Sequence, residues 1–193
     1  MCPTQFNLLF GWTAYLSVVA TLVTLVTGIL FFTLDGPFGT INDAASVFQL
    51  LFMSPIAAAL FLLTRPHAAG LALLATAIGI VGMLVAAVLQ TLLVFGAVEY
   101  EQTIAAVLTA GGGVGVWLLL TNVLALAAET LPGALAIFGL VAGMGYVLLV
   151  VGFWTGGQQH PLFYVGSLLT VVGYSIWATW LGRLFLSGRL ATG

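Results

Sequence analysis

From Phe10 to Leu34 the chain carries about twenty-five successive residues without a charge, and runs of this kind recur to its end. A segment of that length and character is what a lipid bilayer demands of a helix, roughly 20 apolar residues for a core about 30 Å thick. Barrel strands would alternate apolar and polar residues over about ten positions. These runs stay apolar for about twice that length, so the helical reading follows.

Charge sharpens the inference. Only 4% of the 193 residues are charged, three arginines and five carboxylates with no lysine. Soluble domains carry about 25%, so water cannot be the main solvent for this surface. A formal charge of −2 leaves no basic patch for nucleic acid. Cys2 is the only cysteine, which excludes an intrachain disulfide. With no apolar leader before it, Cys2 does not read as a lipoprotein site. The first apolar run is too long for a signal-peptide core and lacks a basic flank, so a retained helix is expected.

Gly, Pro and charged clusters divide the chain into six expected spans in one transmembrane domain, residues 1–193. They cover 10–34, 44–64, 68–98, 104–127, 133–154 and 162–187. Asp35-Gly36-Pro37 stops the first, and Asn42 or Asp43 can cap the second. Pro55 should kink the second, which ends at Arg65-Pro66-His67. The third is long enough to tilt and exits through Glu99 to Thr103. Thr130 suits an N-cap for the fifth, with Pro132 in its first turn. The expected fold is therefore all-α, a polytopic six-helix bundle with short loops. A partial echo, Pro66, Gly70, Gly79 and Met83 against Pro132, Gly133, Gly139 and Met144, has unequal spacing and reads as shared membrane composition.

Arg65 follows the second expected span, while Arg183 and Arg189 end the sixth. An even number of crossings separates them, so all share a face that the positive-inside rule makes cytoplasmic. Both termini then lie inside, with Asp35, Asp43, Glu99 and Glu101 outside. Arg183 can snorkel to water, and Arg65 and Glu129 occupy neighbouring inner connections. Trp12, Trp177 and Trp180 near the inner face, and Trp154, Phe163 and Tyr164 near the outer, read as interfacial anchors.

Glycines supply the strongest local pattern. Gly111 and Gly115, Gly139 and Gly143, and Gly152 and Gly156 each stand four apart, a spacing that brings helix backbones together. A second reading has Gly111-Gly112-Gly113 loosening its helix beside a cavity. Polar side chains in the spans are Gln49 and Gln90 in the outer half, Tyr146 and Tyr174 near the middle, and Asn122 deeper. The amides should face other helices and bond them together. Alternatively these residues, with Trp117 and the loop residue His160, line an apolar, aromatic ligand pocket. His67 lies on the opposite face from His160, so the two cannot share a metal.

Elimination bears on chemistry. A retinal Schiff base needs lysine, a bridged haem needs paired membrane histidines, and intramembrane proteolysis needs buried carboxylates, a His-Glu-x-x-His pattern or a serine–histidine pair. Thiol redox needs two cysteines, and ion-coupled pumps keep an ionisable residue within the membrane. None of these patterns occurs, so no enzyme, cofactor or metal is expected. Partners are the bilayer, other membrane subunits or further copies of the chain.

The segments Asn42 to Pro55, Gly79 to Gln90, Gly115 to Asn122, Leu131-Pro132-Gly133 and Trp177 to Arg183 resemble an uncharacterised bacterial family of small multi-pass membrane proteins, a domain of unknown function. The resemblance spans most of the chain through mainly apolar motifs, and implies architecture and a bacterial inner-membrane location but no activity. By size and helix count the chain is also similar to the substrate-binding subunits of vitamin uptake transporters, without a matching ligand motif. The leading expectation is an accessory or structural subunit packing with partner membrane proteins. The alternative is a binding or transport module for a small, largely apolar molecule.

Overall fold

A computed structural model describes residues 3–34 and 36–190; Cys2, Asp35 and the tail beyond Leu190 lie outside them. Five α-helices follow in order: α1 (Pro3–Thr33), α2 (Phe38–Val94), α3 (Tyr100–Ala127), α4 (Gly133–Gly156) and α5 (Pro161–Leu186), with a 3-10 turn at Gly157–Gln159. No strand occurs among the described residues. All five are long and apolar enough to cross a membrane. The helices close a ring in which α1 packs on α2 and α5, α3 on α2 and α4, and α4 on α5.

Helix α2 is 57 residues long. Straight, it would extend about 85 Å at 1.5 Å per residue. Instead Ala68, two residues after Pro66, leaves helical geometry at φ −155°, ψ 68°. The proline removes a backbone donor and crowds the preceding turn, and the chain reverses there. The hydroxyl of Ser54 lies 3.7 Å from Met83 Sδ on the returning arm. With its amide nitrogen turned toward Asp43, Gln90 donates to the Asp43 carbonyl at 3.1 Å and to its Oδ1 at 3.3 Å. Arms 38–67 and 69–94 are thus antiparallel neighbours. Pro55, where a kink is expected, lies inside the helix, and the departure from helical angles falls at Ala68.

Most helices begin earlier than the apolar runs, at Pro3, Phe38 and Tyr100. Polar first turns are stable at the membrane surface, where water bonds the free N–H groups. Asn42 therefore lies inside α2 rather than capping it, and donates its amide to the Thr24 carbonyl of α1 at 2.7 Å. Thr130 is not a cap either: Pro132 occupies the N-cap of α4 with no side-chain cap bond. The triple glycine does not loosen α3, which runs unbroken from Tyr100 to Ala127.

Leu16, Val19, Val26, Ile29, Leu73 and Val88 are among many large apolar residues exposed on the ring's outside. The inside holds Trp117, Trp177, Tyr174, Phe185, Met53 and Ile56, all fully enclosed. One face of α1 shows the division: Phe10, Thr13, Ala14, Ser17 and Thr21 are buried at helical spacing. Its hydroxyls bond carbonyls one turn back, as Ser17 does to Ala14 at 2.7 Å and Thr21 to Ser17 at 2.8 Å. That leaves no hydroxyl in this row to be desolvated without a partner.

Candidate functional site

Most of the polar residues expected in a pocket are engaged with neighbouring groups. Asn122 on α3 is fully buried, donates to the Leu118 carbonyl at 2.8 Å, and accepts from the indole Nε1 of Trp177 on α5 at 3.1 Å. Tyr174, one turn before Trp177, donates its hydroxyl to Ser17 Oγ of α1 at 2.7 Å. Trp177 meets Trp117 edge-on, ring centroids 6.3 Å apart and planes at 85°, and leans on Tyr174 at 5.8 Å. Gln49 reaches the Tyr146 hydroxyl at 3.5 Å, the outer limit of a hydrogen bond. The indole N–H of Trp117 is buried without a partner.

Trp177, expected at the membrane surface, is therefore a centre of the core at 0% exposure, while Trp12 at 58% and Trp154 at 64% do face outward. Its register places it with Tyr174, Ala178 and Leu181 on the buried face of α5. Gln90 pairs with Asp43, separately from this cluster. His160 stands apart too. Its Nδ1 accepts from the Leu162 amide at 3.2 Å, so its side chain caps α5 ahead of Pro161.

The glycines work as close-approach points. A Cβ on Gly115 would fall 2.6 Å from Tyr146 Cβ and 2.9 Å from the Gly143 carbonyl, and one on Gly143 would fall 2.9 Å from the Gly115 carbonyl. Gly139 lies directly against the Asn122 amide, Gly152 against the Phe163 backbone and Gly156 against the His160 ring. Gly111 is looser, its nearest neighbour Tyr146 at 3.7 Å.

A second glycine seam escaped the four-residue pattern. Gly152 meets Phe163, Gly166 meets Leu149, Gly145 meets Thr170, and Gly173 meets Ala142. These contacts step down α4 as they climb α5, three and four residues at a time. The glycine spacing in each helix is seven, the repeat of a left-handed antiparallel crossing, and that repeat was the available signal. Gly79, on which Trp117 rests, and Gly82, against the Ala110 carbonyl, do the same between α2 and α3.

Two open concavities lie on the outside of this filled bundle. An apolar groove of about 820 Å³ runs between the second arm of α2 and α3. Its walls are mostly small, including Ala77, Gly82, Ala105, Ala106, Ala110 and Gly113. Trp154 closes one edge and donates its indole N–H to Thr109 at 3.1 Å. A smaller, more polar hollow of about 520 Å³ is lined by Arg65, Pro66, Thr130, Arg189 and Leu190 together with Leu62 and Leu63. Among the described residues no three His, Cys, Asp or Glu side chains gather closely enough to hold a metal.

The fold defines an all-helical protein of multi-pass membrane architecture. No protein-family model, curated protein or solved structure matches the chain.

Proposed function

We propose that the chain is a non-enzymatic accessory subunit of the membrane, crossing it six times and seating one apolar transmembrane helix of a partner protein in the groove between α2 and α3. The carrying observation is the wall of that groove. Ala77, Gly82, Ala105, Ala106, Ala110 and Gly113 present almost no side chain, which is what lets a second helix backbone come close where van der Waals packing drives association. The core offers a ligand little by comparison, because Asn122, Trp177 and Tyr174 already satisfy one another or close neighbours.

Six crossings rest on the reversal at Ala68, since each arm of α2 has the length of a span. Arg65 and Arg189 line one hollow and so share an end of the bundle; the positive-inside rule then makes that end cytoplasmic. A bacterial inner membrane is the location implied by the sequence resemblance. A C-terminal reporter that fluoresces only in the cytoplasm tests the orientation, and a dark but well-expressed fusion reverses it.

The groove reading is tested with Ala77→Phe and Ala106→Phe, both on exposed positions. Native mass spectrometry from mild detergent should show the wild type carrying a partner polypeptide and the variants folded but alone. Unchanged complexes refute the reading. The groove's volume also lies in the range of small-molecule sites; an adduct of small-molecule mass lost in the same variants would favour the apolar-ligand alternative.

A further inference from the structure

We propose that the hollow lined by Arg65, Thr130 and Arg189 is a binding site for a phosphate group, either the headgroup of an anionic phospholipid or inorganic phosphate. The chain has three cationic side chains besides its histidines, and two of them line this one hollow. They come from distant parts of the sequence. Arg65 stands just before the reversal of α2. Arg189 follows Gly188, whose φ of +67° turns the chain back at the end of α5 while Leu190 is buried behind it. Thr130 comes from the α3–α4 connection, and its hydroxyl oxygen is buried without a hydrogen-bond partner.

No carboxylate lines the hollow among the described residues. Two guanidinium groups repel when they face one space, unless an anion is shared between them. Guanidinium forks match phosphate oxygens in pairs, and a hydroxyl adds a donor. Arginine is also favoured near a helix C-terminus by the macrodipole. That accounts for one arginine at each helix end but not for their convergence on a common hollow. The last carbonyls are moreover already used: Arg189 N–H bonds the Leu184 carbonyl and Thr130 N–H that of Ala125, each at 3.1 Å. The site lies where helices end, and on the proposed membrane reading that end meets the headgroup layer, where basic pockets between helices suit anionic lipids.

The test uses the full chain in a neutral detergent, titrated in native mass spectrometry with phosphatidylglycerol or phosphatidylcholine of identical tails. Phosphatidylglycerol should bind about ten-fold more tightly. Arg65→Gln and Arg189→Gln should each remove most of that preference, and Arg183→Gln, at an exposed position on the last turn of α5, should leave it intact. Thr130→Val preserves every charge and should weaken the preference a few-fold; it serves if an arginine variant fails to fold. Displacement by millimolar inorganic phosphate assigns the site to the free anion, and persistence assigns it to the lipid. Equal binding of the two lipids, or an equal loss with Arg183→Gln, overturns the proposal.

Discussion

Trp177 donates its indole N–H to Asn122 Oδ1 across 3.1 Å, with both residues wholly enclosed. Because Asn122 also rests against Gly139, this bond fixes α3, α4 and α5 at one point. Interhelical bonds in membranes contribute about 0.6–2 kcal/mol. Asn122→Ala and Trp177→Phe should each lower thermal stability in detergent, and a double-mutant cycle should return a coupling in that range. Strict additivity of the two losses would show the bond to be worth nothing.

Glycine position decides tolerance. A Cβ on Gly145 would fall 2.5 Å from the Thr170 amide nitrogen, whereas Gly111 has nothing nearer than 3.7 Å and Gly70 nothing within 4 Å. Gly145→Ala should reduce the yield of folded protein and Gly111→Ala leave it unchanged. Gly70→Ala should be tolerated as well, because the added methyl meets open space. Size-exclusion profiles and melting curves of the three variants check the order; a Gly145 variant as stable as Gly70→Ala would contradict the seam.

Glu129 holds a positive φ of 52° at the end of α3, the position that Gly96 and Gly188 fill at the ends of α2 and α5. At all three ends the next N–H returns to a carbonyl five residues back, as Thr130 does to Ala125. A side chain there costs about 1 kcal/mol, and a carboxylate opposes the helix dipole. Glu129→Gly should therefore raise the melting temperature. A fall would mean that Glu129 makes a compensating contact.

His160 caps α5 through Nδ1. His160→Ala should cost about 0.5–2 kcal/mol and His160→Asn much less, because asparagine is a strong N-cap. Equal losses in melting measurements on the two variants would instead assign the ring's contribution to its packing against Gly156.

Helix character and the breaks between helices were legible because lipid and water differ sharply in polarity. The end of the first arm of α2 was visible at Arg65-Pro66 for that reason. The inward face of each helix was not, since lipid and protein core are both apolar. Trp177 and Trp12 look alike in sequence, yet one is the core and the other faces out. Ser17 gave no sign of meeting Tyr174, 157 positions away. The Gly115–Gly143 contact could be anticipated from four-residue spacing, but the α4–α5 seam required a repeat of seven. The groove and the arginine hollow depend on which ends and faces adjoin, which no local pattern encodes.

The reversal at Ala68 also governs how the chain can be cut and labelled. Two antiparallel arms are joined there by one non-helical residue, leaving no slack for an inserted epitope or protease site. The Gly96–Glu99 connection ends a capped helix and starts another in the open. Reporter insertions should be accepted at Ala97 and rejected between Pro66 and Gly70, making this corner one that topology mapping must approach from its flanks.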